Sequence, residues 1–438
     1  MAFKVEAFQN RFLAPGQTRV DAILSVAAEA GSAPRDISAS GGKLVVGFIV
    51  DKSGSMAGER IEGVKRAVTQ AIAMLDERAW FFVVAFDSAA RIVMQEAQAT
   101  PENKHVAAEA LALLSAAGGT AMSAGLAAAR KIFERAPDAI REAIFLTDGK
   151  NESEASTKVA QELARCEAMF ECHCWGVGTD WRVGEVQEIS RALLGKASLI
   201  PHGAGIEEAF RGAMEQARSK ALKDVRLRLW TPQGANVVFV KQVNPTIEEL
   251  TDKGHAISPQ VREYLTGAWG AAETRDFHVA VDVKPGKVGD EMLAARPSVF
   301  YQAMQGGAWV EVEDKPTEAR LFATWTGDDS LSARIDGHVA HYTGQDELAN
   351  AIVQGLDARE KGDEARATHL LGRAVQIAHA SRNDAMTHRL KKVVDVVEAA
   401  TGTIRLKKDV KKAEAMDLQL ESRTTKRVAR GSVAPKES

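Results

Sequence analysis

Asp51, Ser53 and Ser55 alternate along the stretch DKSGS, where the apolar run KLVVGFIV (43–50) comes to an end. A buried strand has no use for three oxygen-bearing side chains at its exit. Gly54, between the serines, lets the backbone curl until both hydroxyls face one point. Farther along, AAGGTAMSAG presents Thr120 after Gly118-Gly119, and the apolar run EAIFLTD (142–148) closes on Asp148, followed by Gly149. Three hydroxyls and two carboxylates make an all-oxygen donor set. Such a set suits a hard divalent ion, Mg2+ with some retained water rather than zinc, with Mn2+ as the alternative. Few of these donors carry charge, so the ion remains electron-poor and can accept a carboxylate oxygen from another molecule. The partner this chemistry predicts is a protein that presents Asp or Glu to the metal. The competing reading without a metal is a polar cluster that caps a helix.

The elements that must hold these residues follow from periodicity. Residues 43–50 are apolar on both faces, as in a central parallel strand. Val64, Ala67, Val68, Ala71, Ile72 and Leu75 then mark one face of an amphipathic helix. AWFFVVAFD (79–87) and RIVMQEA (91–97) read as a hairpin, followed by helices at 102–115 and 121–136 and a strand at 142–148. Helices at 154–169, 183–194 and 205–221 alternate with strands at 172–178 and 197–201. This alternation predicts an α/β doubly wound, mostly parallel sheet with one antiparallel edge, and a ligand site beyond the carboxyl ends of its central strands.

From about residue 223 the text becomes short alternating strands broken by Pro, Gly and Asp, which predicts a β-sandwich over 223–340. Residues 1–42 have the same β character and are expected to join that sandwich, with the α/β domain of 43–222 inserted between. Residues 341–403 predict a bundle of three amphipathic helices, punctuated at Gly362-Asp363 and Ser381–Asp384. A basic, partly disordered tail is expected over 404–438.

The donor arrangement resembles the metal-ion-dependent adhesion site of von Willebrand factor A domains. The D-x-S-x-S signature stands here as DKSGS, the threonine loop as GGT and the third element as LTDG, in that order, within roughly 43–222. The resemblance implies that Asp51, Ser53, Ser55, Thr120 and Asp148 ligate the metal in a non-enzymatic interaction or scaffold module. The wider order of β segment, A domain, β-rich segment and helical end is similar to bacterial A-domain proteins of cytoplasmic type, which implies scaffold or adaptor work. Two other readings stay open: a Mg2+-dependent phosphoester hydrolase, and a subunit that docks on a chelatase-like ATPase ring supplied in trans. No G-x-S-x-G, P-loop lysine or H-E-x-x-H accompanies the donors, and no general base can be named beside them.

Bulk properties bound the rest. A formal net charge of −3 over 438 residues gives no general drive toward nucleic acid, and no reader motif for it is present. The N-terminal residues lack the apolar core of a signal peptide, and no apolar run approaches a membrane span. The three cysteines, Cys166, Cys172 and Cys174, crowd together and form no disulfide framework, so a reducing cytoplasm is the expected setting. Cys172 and Cys174 share one face of a strand while His173 takes the other, which points to structural cysteines rather than a metal site. His202 is expected to be a satisfied loop histidine, and Lys150 is the cation nearest Asp148 in sequence. In ESRTTKRVARGS (421–432), Thr424 or Thr425 is a candidate phosphosite for a phosphothreonine reader such as a forkhead-associated domain; the plainer reading is a solvated basic end.

Overall fold

The computed structural model describes residues 2–29, 42–148, 151, 153–200, 205–305, 308–315 and 318–428; Gly149, Lys150, His202 and residues 429–438 lie outside them. The chain opens with β1 (Phe3–Gln9), β2 (Phe12–Leu13) and β3 (Arg19–Ala28). The α/β unit follows: β4 (Leu44–Asp51), α1 (Glu59–Met74), β5 (Trp80–Phe86), β6 (Ala90–Gln98), α2 (Pro101–Ala112) and α3 (Met122–Phe133). It continues through β7 (Ile140–Thr147), α4 (Ser156–Cys166), β8 (Glu171–Val177), α5 (Val183–Ala192), β9 (Ala197–Ile200) and α6 (Gly205–Ser219).

These strands form one sheet in the order β6-β5-β4-β7-β8-β9, parallel throughout except for the β5–β6 edge pair. Every residue of β4 is buried, because helices cover both faces of the sheet. Leu44, Val46, Phe48 and Val50 point to the side packed by Val64, Val68 and Ile72 of α1. Val45 and Ile49 point to the side packed by Leu126, Ala129 and Phe133 of α3. Gly47 breaks this apolar run for a steric reason: a Cβ there would come within 2.3 Å of the Phe82 ring.

The β-rich part comprises β10 (Lys220–Trp230), β11 (Asn236–Asn244), β12 (Glu248–Glu249), β13 (Gly254–Ser258), β14 (Val261–Gly270) and β15 (Thr274–Asp282). β16 (Glu291–Gln305), β17 (Ala308–Asp314) and β18 (Leu321–Trp325) complete it. One sheet runs β1-β3-β15-β11-β12 and the other β13-β14-β10-β16-β18-β2, with β17 paired to β16. Leu24, Val26 and Phe277 of the first sheet meet Leu227, Tyr264, Trp269 and Val299 of the second in a shared core. The ring of Phe3 lies edge-on to Trp269 and Tyr301, with centroids 5.3 and 5.1 Å away. The N-terminal strands thus belong to the sandwich, and the α/β unit is inserted between β3 and β10.

α6 passes directly into β10, so the sandwich begins at Lys220 rather than at 223. Lys220 is buried between the carboxylates of Glu142 and Glu171, neighbours in the β7–β8 register. This junction ties the sandwich to the foot of the α/β sheet. Asp51 and Thr147 sit at the opposite end of the strands.

The C-terminal part contains α7 (Asp329–Ser332), α8 (Gly337–Glu360), α9 (Glu364–Ala380), α10 (Asp384–Val393), β19 (Val394–Glu398), β20 (Thr403–Leu406) and α11 (Lys412–Glu421). Side chains of Asp336, Asp363 and Asn383 cap α8, α9 and α10 at their N-termini. Two expectations are corrected here. The third helix stops at Val393, because Val394, Val396 and Val397 continue as a strand that pairs antiparallel with β20. The supposed tail is folded through residue 428: Leu418 of α11 joins the helical core, while Met416 and Leu420 reach the core of the α/β unit. Among the described residues no helix is long and apolar enough to cross a membrane.

Candidate metal centre at the crest of the sheet

Asp51 and Thr147 are the last residues of adjacent parallel strands, β4 and β7, and their side chains meet there. Asp51 is wholly buried; its Oδ1 accepts from the Ser53 amide at 2.8 Å and its Oδ2 from the Thr147 hydroxyl at 2.6 Å. Burial pushes its carboxyl up to about 6, partly offset by the bonds from Thr147 and Ser53 and reinforced by the charge of Asp148.

The chain then makes a single tight turn over Gly54–Met56 before α1 begins. Within that turn Ser53 Oγ lies 3.0 Å from Ser55 Oγ, and Ser55 Oγ donates to Asp148 Oδ1 at 2.9 Å. Asp51, Ser53, Ser55 and Asp148 are therefore joined by one relay of hydrogen bonds, through the Ser53 amide and then through the two serine hydroxyls. Ser53 and Asp148 are buried, whereas Gly54 and Ser55 are exposed, so the relay opens to solvent on one side.

The threonine loop is pinned against the same turn. Gly54 N–H donates to Gly118 O at 2.9 Å, and Ala117 N–H donates to Lys52 O at 2.8 Å. The Lys52 ammonium also pairs with Asp87 at the end of β5. Thr120 is buried, and its amide donates to Ser153 Oγ at 2.8 Å. A Cβ on Gly119 would lie 2.0 Å from that same Ser153 oxygen, so glycine is required for the close approach. Glu154 accepts from the Ser123 amide at 2.9 Å and holds the start of α3.

Asp51, Ser53, Ser55 and Asp148 are joined by hydrogen bonds at the open end of the sheet, two carboxylates and two hydroxyls that suit a hard cation, and the Thr120 loop is held beside them through its backbone. Among the described residues no three His, Cys, Asp or Glu side chains gather as a metal cluster, at the crest or elsewhere; the crest offers two carboxylates and relies on hydroxyls for the rest. Cys172 and Cys174 are buried on one face with sulfurs 3.9 Å apart, and burial raises the Cys172 thiol well above its usual range. His173, on the other face, accepts from the Lys196 amide at 3.2 Å.

Several contributors escape a linear reading. Thr147 and Ser153 are ordinary polar residues until the strands are aligned. Arg60 donates from Nη1 to Asp148 Oδ2 at 2.7 Å and pairs through Nη2 with Asp180 on the loop after β8. Asp180 thus lies at the rim of the site, while Trp181 is buried and donates to Gly178 O at 3.0 Å. The one available signal for Arg60 is a cation in the first turn of α1, where helix dipoles favour acids.

The candidate phosphosite lies against the end of β11. Thr425 is buried, with its hydroxyl donating to Val243 O at 2.7 Å and its amide to Pro245 O at 3.0 Å. A kinase could reach that hydroxyl only after the segment left the sandwich. Thr424 is exposed and forms an isolated bridge with Thr246.

Comparison with known proteins agrees with this architecture. A family model described as von Willebrand factor type A domain matches residues 44–199, and one described as von Willebrand factor type A C-terminal domain matches 376–422. The structure is similar to a von Willebrand factor type A protein from Catenulispora acidiphila. That similarity has a TM-score of 0.88 and 39% identity, over 98% of this chain and 97% of the other. The ArnB paralog VWA2 from Sulfolobus acidocaldarius shares the fold at a TM-score of 0.59 and 14% identity, over 97% of this chain and 99% of the other. An uncharacterized Synechocystis protein is 28% identical over 220 residues, 49% of this chain and 52% of that one. The chain thus spans about half the length of that curated relative.

Proposed function

Since the chain belongs to the von Willebrand factor type A family, we propose that it is a non-enzymatic protein-interaction module whose Asp51, Ser53, Ser55, Thr120 and Asp148 hold Mg2+ for an acidic partner. An Asp or Glu of the partner protein completes the shell of the ion. The observation that carries this reading is the relay from Asp51 through Ser53 and Ser55 to Asp148, open to solvent at Ser55. The bound ion supplies a Lewis-acid contact for a carboxylate. The residues supply its position: Thr147 orients Asp51, Ser153 holds the backbone of Thr120, and the Gly54–Gly118 hydrogen bond locks the two loops together.

The fold favours a docking role. The sandwich and the helical end are anchored away from the crest, at the foot of the sheet and along its flank, so a partner can approach the site from above. The free, buried state of Cys166, Cys172 and Cys174 suits work in a reducing cytoplasm.

Pull-downs from native extract in Mg2+ and in EDTA test the proposal, with Asp51→Ala as the second arm. Partners should be captured by the wild type in Mg2+ and lost in both other conditions. A partner set indifferent to chelation and to Asp51→Ala overturns it.

A further inference from the structure

Asp148 is wholly buried and both of its oxygens are engaged, Oδ1 by Ser55 and Oδ2 by Arg60 at 2.7 Å. Arg60 stands in the first turn of α1 between Glu59 and Glu62, where the positive end of the helix favours the two acids and disfavours the arginine. Its position is therefore set by the carboxylates it touches rather than by the helix. An ionised carboxylate buried without a partner is strongly unfavourable, and Arg60 removes that penalty without any metal ion. Asp180, 58% exposed, gives the guanidinium a second seat at the rim.

We propose that Arg60 is a tethered cation of the metal site: by pairing with Asp148 it weakens the hold on a divalent ion alone and leaves that ion's charge to be met by an external carboxylate. The inference rests on the metal-site reading above and concerns what tunes it. Asp51 and Asp148 are the charged members of the donor set, and Arg60 cancels one of them. Among the donors themselves a divalent ion then faces a single net negative charge, while Asp180, exposed at the rim, is screened by solvent. A partner's Asp or Glu contributes the missing charge, so the ion and the acid reinforce each other's binding, reciprocally. Arg60 thus converts a site that would hold metal tightly unaided into one whose hold on the ion tightens when an acidic partner arrives.

Calorimetric titration of Mn2+ alone into the full chain tests this with Arg60→Gln, Arg60→Met and Arg60→Lys. Glutamine keeps a donor for Asp148 without charge, methionine keeps the bulk, and lysine keeps the charge. Arg60→Gln and Arg60→Met should bind the ion at least about tenfold more tightly than the wild type, and Arg60→Lys within about threefold of it. Acetate, a bare carboxylate probe, should strengthen Mn2+ binding more in the wild type than in Arg60→Gln. Unchanged or weaker binding in Arg60→Gln overturns the role of Arg60 and leaves the metal site standing. Equal tightening in Arg60→Lys also overturns it, because charge would then not be the cause. Uptake by none of the four proteins removes the metal-site reading itself. Should Arg60→Met fail to fold, Arg60→Gln decides.

Discussion

Asp51→Asn should stabilise the metal-free protein while abolishing its response to metal. Asp51 is wholly buried, and burial lifts its carboxyl from the ordinary aspartate range to about 6. Between those values the native state holds a proton that the unfolded state has released, so stability falls as pH rises through the interval. Above it the full penalty applies, about 3 kcal/mol at roughly 1.4 kcal/mol per pH step of one. Asparagine can replace the pattern of contacts: its oxygen accepts from the Ser53 amide, and its NH2 can donate to Thr147 Oγ1. In EDTA near pH 8 the variant should therefore gain about 2–3 kcal/mol, and the gain should shrink to under about 1 kcal/mol by about pH 4, where the native carboxyl is protonated and the unfolded one is about half protonated. The chain contains only three cysteines, all buried in the α/β unit, so their reaction with a dipyridyl disulfide during a urea titration reports unfolding of that unit alone. In Mg2+ the wild type should gain stability by mass action and the variant should not. An Asp51→Asn protein less stable than the wild type in EDTA near pH 8, or a gain that persists unchanged near pH 4, refutes the reasoning.

Three further outcomes follow from the packing. Lys220→Met leaves Glu142 and Glu171 without their cation at the buried junction and should cost roughly 3–5 kcal/mol in urea unfolding, a loss partly restored by adding Glu142→Gln; a cost under about 1 kcal/mol contradicts it. Thr425→Glu puts a carboxylate among the carbonyl oxygens of Val243 and Pro245 and should weaken docking of the C-terminal segment by roughly 2 kcal/mol or more. Faster tryptic cleavage at Arg423, Lys426 or Arg427 is the readout, and an unchanged rate counts against it. Thr147→Val removes the donor to Asp51 Oδ2 and should raise the pH at which the Asp51 carboxyl ionises, visible as a shift of its carboxyl carbon resonance in metal-free protein; no shift refutes the orienting role of Thr147.

The strands and helices of the α/β unit are legible because each obeys its own period. β4 is apolar up to Asp51, and β7 from Ala143 to Leu146, because both of their faces are covered, and the turn at Ser53–Ser55 is conspicuous against them. Asp51, Ser53, Ser55 and Asp148 can be picked out because polar oxygens where apolar strands end are unusual, and Thr120 because it follows Gly118-Gly119 just before a helix. Arg60 is another matter. Its two partners lie 88 and 120 residues away, and a charged residue on a helix reads as a solvated one until the loops are placed. Lys220 is hidden in the same way, since nothing near it in sequence shows that β7 and β8 bring Glu142 and Glu171 side by side. The misread strand β19 follows directly from a helix without a break, so local periodicity is overridden by pairing with β20 across a turn at Gly402. The folded end through residue 428 escapes notice because its basic composition is that of a solvated tail. Its anchors, Met416, Leu418 and Leu420, are only three apolar side chains spaced along α11.

Whether a divalent ion sits among Asp51, Ser53, Ser55, Thr120 and Asp148 is most directly answered by Mn2+ electron paramagnetic resonance on the full chain. Free Mn2+ gives a sharp signal that fades on binding. Titration should show one ion taken up per chain, displaced by Mg2+, with uptake lost in Ser53→Ala/Ser55→Ala and in Asp51→Ala. A signal that stays at the level of free Mn2+ throughout the titration, or uptake unaffected by these substitutions, contradicts the assignment of the crest as a metal centre.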